Sequence, residues 1–169
     1  MNAAKNTAFL GVMLSVVFVL SWLEFIVSSL LLLPPHIKLG LANIVIMYCV
    51  IFISKKSALT LVILKSLFVL LTRGPIAGLL SFCGGMLSII IIIVLIAIFK
   101  DKISFIALSV AGALAHNMGQ LIAMTPIFGS LMFISYLPVM IVSGVIAGTL
   151  TGILLKVTFP IFTYININK

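Results

Sequence analysis

The chain has 169 residues, of which 64% are hydrophobic and only 7% charged. A soluble domain carries about 25% charged residues, so the composition excludes an ordinary soluble fold and points to an integral membrane protein, one transmembrane domain over residues 1–169. The net charge of +8 is no nucleic-acid footprint, because the Lys and Arg residues stand singly or in pairs at the ends of apolar runs, where they set topology and meet lipid headgroups.

Polar, Pro or Gly punctuation cuts the chain into six apolar segments. The first runs from about Ala8 to Leu33 and stops at Pro34-Pro35. It is too long for a signal-peptide core and no small-residue cleavage site follows, so it reads as a retained span. The second, about Leu39 to Ile53, is short for a full crossing and stops at Ser54-Lys55-Lys56-Ser57. The third runs from about Ala58 to Thr72 and ends at Arg73-Gly74-Pro75; the fourth, about Ile76 to Phe99, ends at Lys100-Asp101-Lys102. The fifth runs from about Ile103 to Met124 and ends at Thr125-Pro126. A loop with Gly129-Ser130 and an apolar stretch with Tyr136-Leu137-Pro138 precede the sixth, about Pro138 to Phe159. The run Ile89 to Ile93 is β-branched, yet segment length and a lipid setting favour helix. The expected fold is therefore an all-α bundle of six transmembrane helices.

Loop charges orient it. With the N-terminus inside, the inner segments hold Lys5, Lys55, Lys56, Lys100, Lys102, Lys156 and Lys169, and the outer ones only Lys38 and Arg73. That bias predicts N-in and C-in. Small residues recur at helix-packing spacing: Gly144, Gly148 and Gly152; Ala107, Ala111, Ala115 and Gly119; Gly11 and Ser15. Such stripes let backbones approach closely, within one bundle or between subunits.

Only Glu24 and Asp101 are acidic in the whole sequence, and Glu24 and Lys65 both fall inside apolar segments. An ionisable group at bilayer depth costs at least ~2.5–3.5 kcal/mol on insertion scales and is expected to face a bundle interior or watery cavity. Counted back from the outer ends at ~1.5 Å per residue, Glu24, Lys65 and His116 each lie roughly 12 Å deep, and Asn43 and Gln120 roughly 6 Å. Asn117 adjoins His116, and Gln120 lies one turn on. The outer half of the bundle thus collects carboxylate, ammonium, imidazole and amides, while the inner half has almost none. Two readings fit: a structural ion pair with bracing amides, or a polar pocket open to the outside. With Lys38, Lys65 and Arg73 nearby, such a pocket suits an anionic or strongly polar ligand. Trp22, Tyr48 and Tyr136 are candidates to stack on a ring, and Tyr136 also suits an interfacial anchor.

Catalytic and metal signatures are missing. The sequence has no Walker A lysine motif, no HExxH, no CxxC and no GxSxG. Cys49 and Cys83 have no metal or disulfide spacing. One Asp and one Glu cannot build the carboxylate clusters that hold Mg²⁺ on a diphosphate. No enzyme, metal or cofactor is expected. Besides ligand capture, the residues leave room for a proton relay through Glu24 and His116 in a stand-alone transporter.

Ser21-Trp22-Leu23-Glu24, Ile37-Lys38-Leu39-Gly40-Leu41-Ala42-Asn43-Ile44, Ala115-His116-Asn117-Met118-Gly119-Gln120 and Tyr136-Leu137-Pro138 together resemble the Gx transporter family. Its members are often labelled heptaprenyl diphosphate synthase component I. The resemblance covers about Phe9 to Lys156, and that family is similar to the S components of energy-coupling factor (ECF) transporters. It implies a six-helix micronutrient-binding subunit in the bacterial cytoplasmic membrane. Its partners would be an ECF coupling transmembrane subunit and two ATPase subunits. The implied substrate site, near the external surface, draws on Glu24, Lys38, Asn43, Lys65, Arg73, His116, Asn117 and Gln120. An Arg is typical of the family near Lys65, so charge is kept here while the planar fork is lost. Coupling-subunit docking on a small-residue motif of the first helix falls at Gly11 and Ser15. The label leaves a second expectation, an accessory subunit of isoprenoid or quinone synthesis.

Overall fold

The computed structural model describes residues 3–30 and 40–167, with side chains over 7–30, 40–100, 102–129 and 135–157. Among the described residues there are six α-helices and no strand: α1 (Ala3–Leu30), α2 (Leu41–Phe52), α3 (Lys55–Arg73), α4 (Pro75–Phe99), α5 (Phe105–Phe128) and α6 (Ser130–Ile167). A 3₁₀ turn, Lys100–Lys102, joins α4 to α5.

The helix starts have local causes. Ser54 caps α3 by accepting the Ser57 N–H at 3.1 Å. Ser104 caps α5 by accepting the Ala107 N–H at 3.1 Å. Such caps satisfy donors that a helix start leaves open. Gly74 ends α3 and begins α4 at φ 90°, a conformation that only glycine adopts without strain, and Pro75 takes the first turn of α4, where its missing N–H costs nothing.

Two boundaries differ from the sequence expectation. The fifth helix runs through Pro126 to Phe128, and the sixth starts at Ser130, so Pro138 lies inside α6 instead of opening it. A proline removes one backbone donor; in an apolar bundle the helix is still the cheapest way to satisfy the remaining peptide groups, so the helix continues past it.

Among the described residues, four helices are long and apolar enough to cross a membrane: Thr7–Leu30, Pro75–Phe99, Phe105–Phe128 and Ser135–Val157. The 12 residues of α2 rise about 18 Å, short of a ~30 Å hydrocarbon core. The 19-residue α3 carries Lys55, Lys56, Lys65 and Arg73. The bundle's outside is aliphatic, with Leu71, Ile98, Val142 and Val157 well exposed. This is the surface of a multi-pass, membrane-embedded protein.

Packing separates two groups of helices. From α3 to α6 each helix packs on the next, and glycines bring the backbones together. A Cβ on Gly85 would lie 2.7 Å from Val62, one on Gly119 2.7 Å from the Cys83 carbonyl oxygen, and one on Gly148 2.5 Å from the Val110 Cα. The stripe Gly144, Gly148 and Gly152 therefore belongs to the α5–α6 seam inside the molecule. By contrast, α1 packs on α2 and α3 through larger side chains, including a Phe18–Phe68 stack with centroids 4.4 Å apart. Helix α2 touches α1, α3, α4 and α6, and buries Ala42, Val45, Ile46, Met47, Cys49 and Val50.

Candidate ligand site in a buried polar layer

Glu24 and Lys65 are 3% and 7% exposed. Among the described residues they make no direct ion pair; each is held at the start of α2. A Glu24 carboxylate oxygen accepts the Gly40 N–H at 2.5 Å. Gly40 sits at φ 77° as the N-cap of α2, so its donor reaches the carboxylate from a left-handed conformation that other residues enter at a cost. The carboxylate thus lies at the positive end of the α2 dipole. Lys65 Nζ donates to Asn43 Oδ1 at 2.8 Å, and the Asn43 N–H donates to the Gly40 carbonyl at 2.9 Å. One turn of backbone, Gly40 to Asn43, therefore separates the buried anion from the buried cation.

Arg73, half-buried at the end of α3, donates from Nη2 to the Ser21 carbonyl. Its guanidinium lies 4.7 Å from the centroid of the Phe25 ring, a cation–π contact. Both Lys65 and Arg73 lie within electrostatic reach of Glu24.

The fifth helix supplies the rest of the layer. Gln120, 1% exposed, places its amide nitrogen 3.1 Å from His116 Nε2. Gly84 of α4 lies against this pair: a Cβ there would come within 3.0 Å of His116 and Gln120 side-chain atoms. Asn117 turns to α6, donating to the Met140 carbonyl at 2.8 Å and standing 3.4 Å from Ser143 Oγ.

The structure thus brings Glu24, Asn43, Lys65 and Arg73 together on α1, α2 and α3. It gives His116 and Gln120 a shared contact against α4 and sends Asn117 to α6. Lys38 lies outside the described residues. Gly11 and Ser15 are exposed on α1, with nothing within 4 Å of a Cβ at Gly11. Trp22 is exposed on the bundle exterior, and Tyr48 packs near Phe52, ring centroids 5.1 Å apart.

Two participants were not singled out from sequence. Gly40 carries the donor for Glu24; a glycine directly before an apolar helical run is the signal that would have found it. Ser21 carries the acceptor for Arg73, and its place three residues before Glu24 puts both on one helix face.

The buried carboxylate on α1 and the two cations on α3 are each held by neutral groups and not by one another. The family model described as heptaprenyl diphosphate synthase component I matches residues 13–158. The chain belongs to that family. No curated protein and no solved structure matches it. For this member of the component I family, the match spans all the polar residues described above, from Ser21 to Ser143.

Proposed function

We propose that the chain is the substrate-capture (S) component of an ECF-type importer in the bacterial cytoplasmic membrane. It would bind a small micronutrient at the external face and hand it inward with a coupling subunit and two ATPases. The observation that carries this reading is the buried Glu24–Gly40 and Lys65–Asn43 pair of hydrogen bonds at the start of α2. Charges at bilayer depth are retained where a solute pathway needs them. Lys65, Asn43, Arg73, Glu24 and the His116, Asn117 and Gln120 group would line or brace the site, on an N-in, C-in bundle oriented by its loop lysines. The sequence has no Walker A motif, so in this reading the energy source would lie on a partner. Such a subunit is not itself an enzyme.

Affinity purification from native membranes tests the reading. Recovery of a transmembrane coupling subunit with ATPases is the expected result. Gly11→Leu should abolish that recovery while leaving the protein folded, because Gly11 is exposed and a Cβ there meets nothing within 4 Å. Normal recovery with that variant would remove Gly11 and Ser15 from the docking face.

The family description favours a second reading, a membrane subunit that works beside a polyprenyl diphosphate synthase. Recovery of a soluble prenyl synthase, whose activity falls when this chain is deleted, would select it. A stand-alone proton-coupled transporter would instead keep uptake without any ATPase and lose it with the proton gradient.

A further inference from the structure

Two buried hydroxyls in this bundle turn back to their own helix, and a third, Ser109 Oγ, donates to Met47 Sδ at 3.2 Å. Ser66 Oγ donates to the Val62 carbonyl at 2.7 Å, and Thr151 Oγ1 to the Ala147 carbonyl at 2.6 Å, each four residues back on its own helix. Ser21 and Ser28 do neither. Their Oγ atoms are buried and have no hydrogen-bond partner among the described residues. Ser21 is 2% exposed. Positions 21, 24 and 28 fall on one helical stripe, so the two open hydroxyls flank Glu24 on the inward face of α1. A buried hydroxyl without a partner costs roughly 1–3 kcal/mol, a cost that a bound polar group would remove.

The charges beside this stripe do not balance. Glu24 is one negative group, while Lys65 and Arg73 are two positive ones, and Arg cannot shed its proton. Each cation is bonded to a neutral acceptor, Asn43 Oδ1 or the Ser21 carbonyl, which leaves further donors on both. An excess positive charge in a low-dielectric interior calls for a compensating anion.

We infer that the site takes its ligand through a singly charged oxyanion of the carboxylate class, held between Lys65 and Arg73 with the Ser21 hydroxyl as a further donor. One negative charge brings the buried group to neutrality; two would overshoot it. Half-buried Arg73, at the end of α3, marks the entry side. The inference rests on the reading of the polar layer as a ligand site, and adds the ligand's charge and the role of Ser21.

Thermal unfolding of the full-length protein in detergent, at constant ionic strength, tests it with propionate, propionamide and inorganic phosphate at pH 8. A ligand that binds only the folded state raises the midpoint in a saturable way. Propionate should do so, the uncharged isostere propionamide should not, and doubly charged phosphate should bind more weakly. Ser21→Ala should raise the anion-free midpoint, since it removes a buried hydroxyl that has no partner, and weaken propionate by about tenfold, the worth of one hydrogen bond to a charged group. Arg73→Gln should remove the response. Equal effects of propionate and propionamide, no saturable response to propionate, tighter binding of phosphate, or full propionate affinity in Ser21→Ala would each overturn the assignment. Anion binding without any coupling complex would overturn the importer reading alone. A coupling complex formed by a protein indifferent to propionate would overturn the anion assignment alone.

Discussion

Lys65→Met is expected to weaken ligand binding by more than about tenfold while leaving the fold intact. The ammonium is the most deeply buried cation of the layer, and one hydrogen bond to a charged group is worth about 1.5–3 kcal/mol, a factor of ten or more in affinity. The fold should tolerate the change because Lys65 is bonded to the neutral Asn43 amide and to no carboxylate. Replacing a buried charge by an apolar residue of similar volume also removes its desolvation penalty, and such exchanges are often neutral or stabilising. The loss of a donor to half-buried Asn43 costs about 1 kcal/mol against that gain. Binding titrations with propionate, alongside thermal unfolding, separate the two effects. Unchanged affinity would take Lys65 out of the site. Lost binding with a collapsed midpoint would make it structural.

Gly148→Leu is expected to be the most damaging single change in the α5–α6 seam. Even one added carbon at Gly148 would stand 2.5 Å from the Val110 Cα and 3.0 Å from the Ser109 carbonyl oxygen. Both are backbone atoms, so no rotamer change can make room. Overpacking of a close contact costs about 1–3 kcal/mol and sometimes more, and a leucine adds three further carbons. Thermal unfolding should show a large drop, and Gly148→Ala a smaller one in the same direction. A midpoint equal to that of the parent protein would mean that the two helices are not packed as described.

The positions of the six helices were legible in the sequence because apolar runs broken by Lys-Lys, Gly-Pro and Lys-Asp-Lys leave little choice. Pro126 and Pro138 misled, since in water a proline inside a helix usually ends or kinks it, whereas here the apolar surroundings keep the remaining peptide groups paired. The polar layer was legible as a set of depths. Helical rise gives height but not direction around the axis, so Glu24, Lys65 and His116 could be placed at one level without telling which neighbour each would meet. The hydrogen bond from Gly40 to Glu24 depends on a left-handed backbone at a helix start, and the Arg73–Ser21 contact joins residues 52 apart. Neither leaves a periodic trace. The glycine spacing on α6 announced a close approach, but spacing along one helix does not say that the facing surface is α5 and not another molecule.

The glycine contacts have a mechanical consequence. They hold α3 to α6 at close approach, with backbone atoms of the neighbouring helix facing Gly78, Gly119 and Gly148. Helix α1 is fastened differently: an aromatic stack, the Arg73–Ser21 tie and the Glu24–Gly40 hydrogen bond hold it to its neighbours. Two of those three fasteners are polar, and one of them, the Arg73–Ser21 tie, involves groups that the proposed anion would engage. Under the proposed reading, arrival of a solute would therefore act first on the Arg73–Ser21 contact of α1 and not on the glycine seams. Backbone amide exchange would register this as faster opening of α1 than of α4 or α5, with the difference changing when the site is filled.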